Sequence, residues 1–208
     1  MNIRPITFLI CLLTISSLTT AARSAAEQIP LTSNRSQSLT LVDLEADETD
    51  DWEAFEIGNK FGYKDAAGRL KIPARFDDVY DFFNGLAAVQ IDDRWGFVDR
   101  QGRTVIAMKY DDAGSFSNGL AAVQIDEKWG FIDRTGATII PLMFDEVEAF
   151  SQGLAKVKVG EKWGFINKKG TIAIAPIYDE VASFTEGTAW IRIGTKVGYI
   201  DKKGKFLQ

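Results

Sequence analysis

Four pairs of adjacent carboxylates, Asp77-Asp78, Asp111-Asp112, Asp145-Glu146 and Asp179-Glu180, recur every 34 residues, each after a Phe or Tyr. Two carboxylates held together can divide acid and base roles or ligate a hard cation. Neighbours in an extended chain point to opposite faces, however, so these pairs do not converge on one atom. Turn closure is their expected role. A second series, Trp95, Trp129 and Trp163, keeps the same interval and could stack sugars as a ladder. Each of these Trp residues shares strand parity with Phe97, Phe131 or Phe165 and adjoins Gly96, Gly130 or Gly164, which makes shared core the expected role.

Other chemistries lack their residues. The chain has no His, and its one cysteine, Cys11, lies in an apolar amino-terminal segment. Transition-metal sites are therefore disfavoured, and no serine nucleophile elbow occurs. The acidic stretch holding Asp43, Glu45, Asp47, Glu48, Asp50 and Asp51 lacks the ligand spacing of a calcium loop and reads as a solvated cap. No catalytic, cofactor-binding or metal-binding residue is expected, and the chain reads as a non-enzyme.

The elements that carry these residues follow from the repeat itself. Gly62, Gly96, Gly130, Gly164 and Gly198 are each 34 residues apart and follow Phe61, Trp95, Trp129, Trp163 and Val197. Such a unit cannot bury its apolar face alone and must lean on its neighbours. The segment from Leu86 to Ile91 returns at 120–125, 154–159 and 188–193 with a period of two, the signature of a strand. Ala87, Val89 and Ile91 share one face, and Ala88 and Gln90 the other. Two-residue turns such as Asp92-Asp93 and Gly160-Glu161 then reverse the chain into a second strand.

That second strand ends in Asp-x-x-Gly, closed by Gly68, Gly102, Gly136 and Gly204, with Asn167 to Gly170 as a variant. A third strand is expected to stop at Pro73, Pro141 or Pro176, because proline cannot donate to a ladder. A fourth segment is expected to open on the aromatic-Asp pair and to carry Phe82, Phe116, Phe150 or Phe184. Five units then fall at about 41–74, 75–108, 109–142, 143–176 and 177–208. The expected fold is all-β, a tandem array of five β-hairpin repeats of ~34 residues. An open solenoid-like superhelix is preferred to a closed five-bladed propeller, whose blades usually need about 40–45 residues. A helical array of the same period would require long glycine-free stretches, which this chain lacks.

The amino terminus reads as an export signal over residues 1–26. Arg4 precedes an apolar run from Ile6 to about Leu18, and small residues lead to a cut expected at Glu27, with cleavage after Ala21 or Ala22 the alternative. The residue before Cys11 is Ile10, which argues against lipid attachment. Residues 27–40 read as a flexible linker. Removing Arg4 and Arg23 with the signal would leave 22 basic against 29 acidic residues, a net charge of −7. A chain so acidic lacks the footprint of a nucleic-acid binder, and no stable membrane span is expected after cleavage. The expected location is periplasmic or extracellular.

Lys-Trp-Gly-Phe-Ile-Asp/Asn at 128–133 and 162–167, Ile-Ile-Pro, Phe-Asp-Glu-Val and Gly-Leu-Ala together resemble the WG-repeat (KWG-repeat) proteins of bacteria. The likeness covers nearly the whole of the expected mature chain. It implies a tandem β-repeat domain, frequently exported, with no general enzymatic activity and no established common ligand. Phe61 and Val197 depart from Trp in the two end units.

Function is expected where the copies differ. Along the array the first strand carries Glu56, Gln90, Gln124, Lys158 and Arg192, and beside them Ala54, Ala88, Ala122, Lys156 and Trp190. Read as an outward strip, this becomes basic and aromatic at one end. Lys156, Lys158, Trp190 and Arg192 are the candidate residues for a protein or cell-envelope partner. The alternative is a carbohydrate or small-molecule module using exposed aromatics.

Overall fold

The structure, a computed structural model, describes residues 52–207. The expected signal (1–26), linker (27–40), acidic stretch and opening of the first unit lie outside these residues. Nineteen strands and no helix make up the described chain.

Unit one contributes β1 (Glu53–Ile57), β2 (Lys60–Lys64) and β3 (Leu70–Phe76). Unit two holds β4 (Asp78–Val79), β5 (Leu86–Ile91), β6 (Arg94–Asp99) and β7 (Thr104–Tyr110). Unit three holds β8 (Asp112–Ala113), β9 (Leu120–Ile125), β10 (Lys128–Asp133) and β11 (Thr138–Phe144). Unit four holds β12 (Glu146–Val147), β13 (Leu154–Val159), β14 (Lys162–Asn167) and β15 (Ile172–Tyr178). Unit five holds β16 (Glu180–Val181), β17 (Thr188–Ile193), β18 (Lys196–Asp201) and β19 (Phe206–Leu207). Each unit is its own antiparallel meander, with strands in chain order. No strand of unit five pairs with unit one among the described residues, and the array is an open succession of small sheets.

Turn chemistry explains the meanders. Asp99 Oδ1 accepts the amides of Gln101 (2.9 Å) and Arg103 (2.9 Å), while Gly102 at φ 73° donates to the Asp99 carbonyl. The same geometry recurs at Asp65, Asp133, Asn167 and Asp201. The tight turn between the first two strands takes positive φ at Asp92 and Asp93, which matches the twist of the flanking strands. A second two-residue turn, at Asn84-Gly85 and its copies, folds the fourth segment back onto the next strand through reciprocal bonds between Phe83 and Leu86.

Two expectations are corrected. The third strand runs through its proline and ends on the aromatic, so Phe76, Tyr110, Phe144 and Tyr178 close a sheet instead of opening the next one. Trp129 pairs with Phe144 and Phe131 with Ile140: two steps on β10 answer four on β11. Pro141 sits inside this bulge, where the ladder asks for no amide, and Pro73 and Pro176 do likewise. The bulge folds over the glycine of the aromatic-Gly pair. A β-carbon on Gly96 would meet the backbone of Ile106, Ala107 and Met108 within 2.8 Å, so only Gly fits.

The second correction concerns the supposed outward face. Sheets stack face to face, so internal units are buried on both sides. Ala87 and Val89 join Tyr63, Ile72, Phe76 and Val98 in the core shared with unit one. Ala88, on the opposite face and 1% exposed, joins Trp95, Phe97, Ala121, Val123 and Ile132 in the core shared with unit three. Ala88 and Ala122, read as surface, are thus inter-unit contacts, small because the next sheet lies against them, whereas Ala54 and Glu56 of unit one are exposed.

Candidate binding face

Each junction between units is built from the same parts. An aromatic on the second strand of one unit meets a Phe from the next: Tyr63–Phe82, Phe97–Phe116, Phe131–Phe150 and Phe165–Phe184, with ring centroids 4.7, 4.8, 5.0 and 4.8 Å apart. Burying such a side chain contributes about 1.5–3 kcal/mol, and the ring pair a further ~0.5–1.5. The turn glycines 102, 136, 170 and 204 lie against Ile72, Ile106, Ile140 and Ile174 of the preceding unit.

A polar clamp borders each aromatic pair. Lys60, Arg94, Lys128 and Lys162 each reach the Asp 17 residues later, namely Asp77, Asp111, Asp145 and Asp179. The second oxygen of each Asp accepts an amide from the hairpin turn of the next unit: Asp92 (3.0 Å), Asp126 (2.8 Å), Gly160 (2.6 Å) and Gly194 (2.5 Å). The Lys128 hydrogen bond and the Gly160 amide hold the Asp145 carboxyl below its ordinary range, and Lys162 with the Gly194 amide does the same for Asp179. The first carboxylate of each pair is therefore fully engaged. The second faces elsewhere, with Glu146 on Lys158 and Glu180 on Arg192 across the ladder. Among the described residues no group of three or more acidic side chains could hold a metal ion.

The aromatic-Gly column is inter-unit core in part. Trp95 is buried against Tyr80, centroids 5.2 Å apart, whereas Trp129 and Trp163 are half-buried. Trp163 lies beneath the ammonium groups of Lys156 and Lys158, 5.1 and 5.6 Å from its ring centre.

The four candidate residues fall into two groups. Lys156 and Lys158 sit in unit four, where Lys156 bonds Glu148 (2.6 Å) and donates to the Val181 carbonyl of unit five (3.4 Å). Lys158 bonds Glu146 at 2.5 Å. Both charges are answered within the fold. Trp190 and Arg192 belong to unit five, on the face equivalent to that which unit two presents to unit three. Arg192 bonds Glu180 (2.5 Å), with Asp179 3.8 Å away, and Trp190 pairs across the ladder with Tyr199.

Among the described residues no further sheet lies against that face of unit five. Tyr199 is 54% exposed where Tyr63, Phe97, Phe131 and Phe165 are at most 1% exposed, and Val197, at the Trp position, is 56% exposed. Lys196, in the place of the clamp lysines, is exposed and meets no carboxylate among the described residues. The sequence pattern singles out Trp190 and Arg192 on this face but not Val197, Tyr199 and Lys196. Their signal was present, because each occupies a column whose other members are core or clamp.

The repeating geometry coincides with a family model described as WG containing repeat, which matches residues 61–95, 95–129, 129–163 and 163–196. The chain belongs to the WG-repeat family. Each match runs from one aromatic-Gly pair to the next, so it contains the bulge, the clamp Asp and the Phe of one junction. A crystal structure of a eukaryotic initiation factor is similar to this WG-repeat protein with a TM-score of 0.51 at 11% identity, over 76% of this chain and 52% of that one. The chain spans about half the length of that structure, and the likeness is one of fold. A protein of unknown function from Bacteroides caccae aligns over 76% of both chains, with a TM-score of 0.32 and 13% identity. No curated protein sequence matches the WG-repeat chain. No helix among the described residues is long and apolar enough to cross a membrane.

Proposed function

We propose that this repeat array is an exported, non-enzymatic scaffold whose fifth unit binds a protein or cell-envelope partner. One observation carries the reading: exposed Tyr199 and Val197 and half-buried Trp190 form an aromatic-apolar face with cationic groups beside it, and the position of Tyr199 is fully buried in the other four units. Large aromatics beside cations are the composition of binding hot spots. The first carboxylate of each repeated pair is bound into a clamp, and the second faces elsewhere, which supports a scaffold over a catalyst. Export rests on the amino-terminal signal pattern, and the net charge argues against a nucleic-acid partner.

Photo-crosslinking tests the reading. With Tyr199→p-benzoylphenylalanine in the source cells, a discrete adduct is expected in the envelope fraction, on a chain beginning at or near Glu27. The same group at exposed Leu70, on unit one, is expected to give none. Equal labelling at both positions, or an unprocessed chain confined to the cytoplasm, overturns the proposal. An adduct that glycosidase but not protease removes favours the carbohydrate alternative, with Trp190 and Tyr199 as the stacking surface.

A further inference from the structure

The junction between units one and two supplies a template for what the fifth face takes. At every internal junction the following unit delivers an Asp and, five residues later, a Phe: Asp77 and Phe82, Asp111 and Phe116, Asp145 and Phe150, Asp179 and Phe184. The preceding unit receives the carboxylate on a cationic side chain and the ring on an aromatic. Unit one adds a third contact, in which the Tyr63 hydroxyl donates to the Tyr80 carbonyl at 2.7 Å. Units two to four carry Phe97, Phe131 and Phe165 in this place and cannot make it. Unit five restores the set, with Lys196 and Tyr199 at the positions of Lys60 and Tyr63. Trp190 extends the apolar surface where units two and three have alanine.

Resting on the binding-face reading above, we propose that the fifth unit recognises an acidic-aromatic segment of another protein, Asp-x-x-x-x-Phe, laid across it in extended form. The carboxylate meets Lys196, a backbone carbonyl accepts from the Tyr199 hydroxyl, and the Phe ring packs between Tyr199 and Trp190. A second copy of this chain fits poorly. Its four Asp/Phe sets are engaged at its own junctions, and ahead of unit one Asp43 is followed by Glu48 where the other units have Phe. A carboxylate on an apolar ring lacks the pairing that its burial would require.

The probe is a fluorescently labelled peptide of residues 76–83, Phe-Asp-Asp-Val-Tyr-Asp-Phe-Phe, titrated with the purified chain and followed by anisotropy. Saturable binding is expected, and Phe82→Ala or Asp77→Asn in the peptide weakens it by about tenfold. Tyr199→Ala in the protein is expected to weaken it similarly. Lys196→Ala should weaken binding of the parent peptide but leave the Asp77→Asn peptide almost unchanged, because the two changes remove one interaction. The proposal is overturned if a chain with native circular dichroism and melting shows no saturation up to about 1 mM peptide, the weak end of specific recognition. A scrambled peptide that binds equally well, or self-association abolished by Tyr199→Ala, also overturns it. If crosslinking at 199 succeeds and the peptide fails, the face stands and the segment chemistry falls; if both fail, both readings fall.

Discussion

A β-carbon placed on Gly130 would stand 2.5 Å from the carbonyl oxygen of Ile140, with Leu142 N and the Pro141 carbonyl carbon each at 2.8 Å. All three neighbours are backbone of the same bulge, so relief requires the strand itself to move. Gly130→Ala is expected to destabilise the array by about 3 kcal/mol or more, the range of strained core substitutions. Gly114→Ala is the control, since its β-carbon would meet only the Ala122 methyl at 3.9 Å; its effect should stay within about 0.5 kcal/mol. Urea unfolding of both variants measures the contrast.

Phe116 is buried against Phe97 across the junction of units two and three. Phe116→Ala removes that ring from two sheets at once and should cost about 3–5 kcal/mol. Phe83, in the preceding copy of the same loop, is 48% exposed, and Phe83→Ala should cost less than about 1 kcal/mol. Thermal melts that ranked the two equally would contradict face-to-face stacking.

Asp145 links Lys128 to the Gly160 amide, and the two contacts separate by substitution. Asn keeps an oxygen for the amide while losing the charge; Ala loses both. Melting temperatures should fall in the order parent, Asp145→Asn, Asp145→Ala, with the larger step at Ala, because exposed ion pairs contribute little and are screened by salt. Repeating the melts in high salt should narrow only the gap between parent and Asn.

Acid should loosen the array over a defined window. Burial pushes the Asp65 carboxyl up, but the Arg69 amide and guanidinium with Lys71 outweigh it and hold the pKa at about 2. Asp77, Asp145 and Asp179 are likewise held low, first by Lys60, Lys128 and Lys162. A carboxyl depressed in the folded state stabilises it fully above the unfolded pKa, near 4, and that stability is lost as pH falls toward the folded value. Melting temperature should therefore be flat from about pH 7 to 5 and drop between about 4 and 2. Asp65→Asn should make the drop shallower.

Glu127 takes φ 60° in a turn where unit one has Asn59 at φ 66°. A glutamate there carries left-handed strain that Gly does not. Glu127→Gly is expected to stabilise by about 0.5–1 kcal/mol, raising the urea midpoint without changing its slope.

Much of this architecture was legible in the sequence. Alternation at Leu86–Ile91, the turn pair Asp92-Asp93 and the Asp99–Gly102 closure are local rules, and the chain obeys them at each copy. What escaped was relational. Pro141 reads as a strand end by local chemistry, yet the bulge that Gly130 admits removes the need for its amide. Lys128 repeats as plainly as Trp129, but its partner lies half a repeat away and caps a turn of the following unit. Gln90 marks its face as solvent by polarity, whereas neighbouring Ala88 is small because another sheet covers it. For the candidate site, Trp190 was named by its difference from the column; Tyr199 looked ordinary there and differs in being 54% exposed.

Because every sheet presses only on the one before and the one after, the array has the mechanics of a stack of plates. Tension applied along the array loads the junctions in series, and a unit with a described sheet on one side alone has fewer contacts to break than one held between two. Each unit that lets go would release 34 residues, roughly 110 Å of contour length at an extended rise per residue. Force-extension traces should then show evenly spaced steps of that size, and the chain would lengthen under load by discrete increments while its remaining sheets stayed folded.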